Sequence, residues 1–205
     1  GLIGPDEFIG LAEESDLIVQ IGNWVLREAC ATAASWPGEV MVSVNVSPAQ
    51  FMTGDIVWQV REALRLAHLD ARRLELEVTE NVMLNDVDGA LRTMTALKEL
   101  GVRLNMDDFG TGYSSLGYLR TYPFDSIKID KRFVASMEKT GRDRSIVQAI
   151  INLGNALNLR VTAEGVETEG QMHILRDEQC HELQGFLLSR PLDAQGLRDL
   201  LEREA

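Results

Sequence analysis

Two adjacent carboxylates, Asp107 and Asp108, end an apolar run, and a loop rich in glycine and hydroxyl groups follows: Leu104-Asn105-Met106-Asp107-Asp108-Phe109-Gly110-Thr111-Gly112-Tyr113-Ser114-Ser115. Neighbouring aspartates repel each other, and desolvating them is costly unless a cation or a donor compensates. Polar side chains stand at the ends of other apolar runs as well: Asn45, Glu77, Lys128, Glu164 and Gln184. Carboxylate and amide oxygens are hard donors, suited to Mg²⁺ or Mn²⁺ and poorly suited to zinc or copper. The carboxylates of Glu77, Asp107, Asp108 and Glu164 exceed what one such ion needs, and an aspartate pair suits two ions. A two-metal site activates water and stabilises the attacking and leaving oxygens of phosphoester cleavage. A lysine such as Lys128 can hold the water or balance developing charge. Taken singly, each residue is weak: a Glu in Leu-Glu-Leu-Glu is more often a solvated face, and Lys128 more often a surface lysine. Their joint placement carries the argument.

The elements that place them follow from hydrophobic periodicity. Residues 41–47 alternate valines with Ser43, Asn45 and Ser47, which predicts a strand. A second strand over 74–80 alternates Leu74, Leu76 and Val78 with Glu75, Glu77 and Thr79. Further strands are expected over 102–107, 126–130, 160–166 and 182–186. Between them, period-3.6 stripes and stop signals predict helices over 5–14, 17–36, 55–67, 87–100, 143–157, 168–177 and 193–203. Ser47 and Gln50, and again Thr168 and Gln171, have the spacing of a capping box, and Gly101 is placed as a left-handed helix cap. A short helix over 116–119 is expected to end before Pro123.

Strands alternating with helices demand a parallel sheet with crossover connections. An open doubly wound sheet and a (β/α)8 barrel compete. Central strands of an open sheet are apolar on both faces, whereas these are polar on one, which favours the barrel with its functional end at the strand C-termini. The expected fold class is α/β, a TIM-like barrel incomplete here, with six strands of the expected eight. No repeat, linker or composition shift divides the chain, so one domain over residues 1–205 is expected.

Composition bounds the rest. A chain of 205 residues, 45% hydrophobic and 25% charged, is that of a globular protein with a real core. A net charge of −12 argues against a basic face for long nucleic acid. Cys30 and Cys180 lie in no metal-type spacing and read as reduced thiols of a cytosolic setting. His68, His173 and His181 form no ligand pattern. No apolar run approaches the roughly 20 residues that cross a bilayer.

Ser43-Val44-Asn45-Val46-Ser47, Glu77-Val78-Thr79-Glu80, Asp107-Asp108-Phe109-Gly110-Thr111-Gly112-Tyr113-Ser114-Ser115, Lys128-Ile129-Asp130, Ala163-Glu164-Gly165-Val166-Glu167 and Gln184-Gly185-Phe186 resemble, in order, the motifs of EAL domains, bacterial cyclic di-GMP phosphodiesterases. The resemblance runs from Gly1 to the end. It implies that Asn45, Glu77, Asp107, Asp108 and Glu164 are ligands of two Mg²⁺ or Mn²⁺ ions, with Asp107 shared between them. It further implies that Glu164 serves as general base, that Lys128 positions the attacking water, and that Gln184, with Lys128 and Asn45, meets the substrate. Glu80 would anchor the glycine loop, which in the family couples catalysis to dimerisation. The implied reaction opens cyclic di-GMP to linear pGpG by water attack on one phosphodiester.

The chain departs from the family in containing no Glu-Ala-Leu, whose glutamate is itself a ligand. Gly1 to Ile9 resembles the segment just after that strand, so two strands are expected upstream, and the fragment alone is expected to be inactive. A homodimer, fusion to sensor or GGDEF domains, and a cytoplasmic domain of a protein that membrane segments can tether are the further implications. The alternative is a non-catalytic EAL receptor for cyclic di-GMP. A kinase reading of Asp108-Phe109-Gly110 fails for want of the His-Arg-Asp loop and strand lysine motif.

Overall fold

The computed structural model describes residues 3–15, 17–52, 55–110 and 116–204. They fall into two compact units, one reaching to Leu104 and the other running from Asn105 to Glu204.

In the first unit, helix α1 (Pro5–Glu14) starts with its proline in the first turn, where the missing N–H costs nothing. Helix α2 (Leu17–Ala34) buries Ile18, Gly22, Leu26, Cys30 and Ala33, a stripe at helical spacing. Gly22 leaves room for Gln50: a Cβ there would stand 2.1–2.2 Å from that side-chain amide and displace it. Gln50 in turn completes the predicted capping box at the start of α3 (Pro48–Met52). The Ser47 N–H donates to Gln50 Oε1 and the Gln50 N–H to Ser47 Oγ, each at 3.2 Å.

Strands β1 (Val42–Val46) and β2 (Leu74–Thr79) pair in parallel, Val42 opposite Leu74 through Val46 opposite Val78. Arg73, just before β2, donates to the carbonyls of Val40 and Ala33 and so ties the entry of β1 to the end of α2. Helix α4 (Ile56–Ala67) packs against α2 and against α6 (Val87–Leu100), which the short α5 (Asn81–Asn85) precedes, and Ile56, Val60, Ala63, Met94 and Leu97 are buried there. Gly101 closes α6 at φ +96°, the left-handed cap that the sequence predicted.

The second unit takes in strand β3 (Arg103–Phe109) from Asn105 onward, then β4 (Ser126–Ile129), β5 (Arg160–Glu164) and β6 (Glu182–Gln184), each parallel to the one before. Helices α7 (Leu116–Thr121), α8 (Lys131–Ser136), α9 (Gly141–Ala156), α10 (Glu169–Asp177) and α11 (Ala194–Glu204) alternate with or follow them. The core is built from Ile127, Ile129, Val134, Val147, Ile151, Val161 and Leu175, all buried. Thr168 and Gln171 form the second predicted capping box, and Gln171 Nε2 also donates to the Val134 carbonyl.

Several boundaries differ from the sequence expectation. Strand β3 continues to Phe109 rather than ending at Asp107, because a bulge carries the ladder past the two aspartates. Helices α5 and α8 are too short, five and six residues, for a periodic stripe to announce them. Helix α9 begins at Gly141, since Thr140 rather than a later residue caps it: its side chain accepts from the Asp143 N–H.

Candidate metal centre

In the first unit, the pleat sets Ser43 and Asn45 on one face of β1, and parallel pairing sets Glu75 beside Ser43 and Glu77 beside Asn45. Ser43 Oγ donates to Glu75 Oε1 at 2.9 Å. Glu75 and Glu77 are both buried, so the alternating Leu-Glu-Leu-Glu run is no solvated face. Two of the predicted ligands, Asn45 and Glu77, are therefore register neighbours at the C-terminal ends of adjacent strands. Glu80 lies in the turn just after β2, and the loop 111–115 it is expected to anchor lies outside the described residues.

In the second unit, β3 meets β4 in register at Met106–Ile127 and again at Phe109–Ile129. Asp107 and Asp108 thus stand against the single residue Lys128, a β-bulge of two residues opposite one. In an unbroken strand these aspartates would point to opposite faces. The bulge, with Asp108 at φ +53°, turns both toward one place. An aspartate tolerates that left-handed backbone better than most residues, because its short side chain bonds locally. Here Asp107 Oδ1 accepts from the Asp108 N–H at 2.9 Å.

Glu164, at the end of β5, joins them. One oxygen from each of Asp107, Asp108 and Glu164 lies within 4.8 Å of the others, a cluster found among the described residues. Lys128 reaches into it: its ammonium pairs with Glu164 and lies 3.7 Å from Asp107 Oδ1, on a side chain only 5% exposed. A lysine so buried is tolerated only with its charge compensated. Gln184 is the register neighbour of Glu164 on β6, and Thr162 that of Lys128 on β5.

The charges press on one another. Burial, followed by the negative charge of Asp107, a hydrogen bond with Asp130 and the charges of Asp130 and Glu164, pushes the Asp108 carboxyl up to about 6. Burial alone would raise Asp130 too. The Arg132 backbone N–H and guanidinium, with the hydrogen bond from Asp108, hold it below the ordinary carboxylate range instead. Asp130 is the residue that sequence reasoning passed over. It was legible as the N-cap of α8, an Asp directly after a strand, but nothing in the pattern placed it against Asp108.

Three close oxygens of carboxylate type are the donor set of a hard divalent cation, and a single buried lysine does not neutralise three carboxylates. The second unit's residues therefore fit Mg²⁺ or Mn²⁺, with Asp107, Asp108 and Glu164 as the holders.

In the second unit the acidic side chains gather at the C-terminal ends of parallel strands, the end at which α/β barrels carry their functional sites. The model of the EAL domain matches residues 1–191, and the chain belongs to the EAL-domain family. Cyclic di-GMP phosphodiesterase NbdA of Pseudomonas aeruginosa is 45% identical over 205 residues, 98% of this chain and 26% of that protein. The structure of the MucR phosphodiesterase of Pseudomonas aeruginosa with cyclic di-GMP matches at a TM-score of 0.93 and 45% identity, covering 96% of this chain and 81% of that one. Klebsiella pneumoniae BlrP1, in a complex with manganese and cyclic di-GMP, matches at a TM-score of 0.78 and 31% identity, over 84% of this chain and 45% of that one. The fold is thus α/β, the TIM-like barrel of EAL domains, and six of its strands are described here. The chain spans about a quarter to a third of the length of the curated relatives it matches. No helix among the described residues is long and apolar enough to cross a membrane.

Proposed function

We propose that this chain is the catalytic module of a metal-dependent phosphodiesterase that hydrolyses cyclic di-GMP to linear pGpG. The observation that carries the reading is the cluster of Asp107, Asp108 and Glu164 around the buried ammonium of Lys128. Support comes also from the relatives, one of them a cyclic di-GMP phosphodiesterase by name and two solved with cyclic di-GMP.

When bound, Mg²⁺ or Mn²⁺ would supply positive charge to the phosphoryl oxygens and lower the pKa of water, the work of a two-metal site. In this reading Asp107, Asp108 and Glu164 would hold the ions, and Asp107 would serve both. Asn45 and Glu77 are proposed as ligands on the strength of the motif match and their adjacent register. Lys128 donates to the attacking water and fixes its direction. Glu164, in contact with that ammonium, accepts the proton as the oxygen approaches phosphorus. The P–O bond to the sugar breaks, and the departing oxygen takes up a proton to give pGpG. Gln184, beside Glu164, offers an amide to the substrate. Glu80 orders the glycine loop. The domain is proposed to act in a homodimer and as one module of a longer cytoplasmic or tethered signalling protein, behind sensor or GGDEF domains.

The test is hydrolysis of cyclic di-GMP by the full-length protein, with Mn²⁺ or Mg²⁺ and then with a chelator. Metal-dependent release of pGpG is expected. Tight binding of cyclic di-GMP without turnover would assign a receptor instead.

A further inference from the structure

Lys128 has a second consequence for the metal. Its ammonium pairs with Glu164 and faces Asp107 at 3.7 Å, and the oxygens of Asp107, Asp108 and Glu164 lie within 4.8 Å of one another. A small divalent ion binds such oxygens at about 2.0–2.1 Å and needs their lone pairs pointed at it. An ammonium paired with Glu164 takes up a lone pair of that oxygen, and 3.7 Å from Asp107 Oδ1 it adds charge attraction without a hydrogen bond. The two cations therefore draw on shared acceptors within a few ångströms, in a place where burial weakens screening. The side chain is itself only 5% exposed, so the ammonium stays beside these carboxylates rather than in bulk water.

We propose that Lys128 is a tethered cation that holds Asp107 and Glu164 together and yields their oxygens to an incoming divalent ion, so that metal uptake is an exchange of one positive charge for another. This rests on the metal-dependent reading above. The exchange lowers the apparent affinity for metal and offsets the repulsion between Asp107 and Glu164 before the ion arrives. It also leaves the displaced ammonium beside the ion, where a water-directing donor is needed.

The experiment measures Mn²⁺ binding by electron paramagnetic resonance of the free ion, on chelator-treated wild type, Lys128→Met and Lys128→Arg. Lys128→Met is expected to bind at least tenfold tighter than wild type, which corresponds to about 1.4 kcal/mol. Lys128→Arg, which keeps the charge, is expected to bind no tighter. Wild type that binds Mn²⁺ while Lys128→Met binds equally or more weakly overturns the exchange and leaves the metal site standing. Absence of Mn²⁺ binding by wild type and Lys128→Met alike overturns both. Should Lys128→Met fail to fold, the ¹⁵N resonance of the wild-type Lys128 ammonium decides. It is expected to move with added Mg²⁺ and to saturate with it, and an ammonium signal that Mg²⁺ does not move overturns the exchange.

Discussion

Replacing Gly185 by alanine tests the geometry that carries Gln184 to Glu164. A Cβ built at Gly185 would stand 2.1 Å from the carbonyl oxygen of Val166 and 2.3 Å from its nitrogen. Both obstacles are backbone, so no rotamer change relieves them, and the strand or the 165–168 connection must move by about an ångström. Two hydrogen bonds cross at that point: the Val166 N–H donates to the Gln184 carbonyl, and the Leu187 N–H to the Val166 carbonyl, each at 3.0 Å. Overpacking of this kind costs about 1–3 kcal/mol. Weakening the two bonds adds up to about 1 kcal/mol apiece. A loss of about 3 kcal/mol is therefore expected for Gly185→Ala, which in a chain of this size lowers Tm by roughly 6–12 °C. Urea unfolding followed by circular dichroism reads it directly. Gly141→Ala is the control, because nothing lies within 4 Å of a Cβ there and the position is the first turn of α9. Since the displaced backbone bears Gln184 and flanks Glu164, cyclic di-GMP affinity should fall along with stability. If Gly185→Ala matches wild type within about 0.5 kcal/mol, the close approach is not as described and the reasoning fails.

Other substitutions test the site and its supports. Glu164→Gln and Asp107→Asn keep shape but remove charge, and each should reduce turnover of cyclic di-GMP by at least about 10²-fold with the circular dichroism spectrum unchanged. Near-normal rates in either would move the chemistry elsewhere. Thr168→Ala removes the oxygen that accepts from the Gln171 N–H at 3.1 Å and should cost about 1 kcal/mol, measured by thermal unfolding. Burial pushes both Cys30 and Cys180 up to about 11, so the thiols stay protonated well above neutrality. At pH 8 the native protein should react with Ellman's reagent far more slowly than the urea-unfolded chain, and equal rates would show the thiols to be open.

Much of the fold could be read from the chain because its local signals agree with its packing. The period-2 runs, the two capping boxes at Ser47 and Thr168, and the Gly101 cap each rest on neighbours a few residues away, and each is where the pattern put it, strand ends apart: β3 runs on to Phe109, and β5 and β6 stop at Glu164 and Gln184. The site was legible as a set of residue types at strand ends. Its geometry was not. Strict alternation assigns Asp107 and Asp108 to opposite faces, and only the pairing with β4 reveals the extra residue that brings them together. Glu75 and Glu77 read as exposed in isolation, because burial is decided by what the other elements lay over them. Asp130 went unassigned for a related reason: its bond to Arg132 is local, whereas its bond to Asp108 joins the start of α8 to β3, far apart in sequence.

The bulge in β3 also bears on how such a domain changes over time. Three residues of β3 span the interval that two residues of β4 cover, so losing Asp108 alone would restore an even ladder from Met106 to Phe109. Phe109 would keep Ile129 as its partner and its buried place, while the left-handed turn at Asp108 would vanish together with one of the proposed ligands. A single codon deletion would thus remove an acidic residue of the proposed metal centre while leaving the β3–β4 pairing intact on either side of it. The separation between destroying the chemistry and destroying the protein is one residue wide.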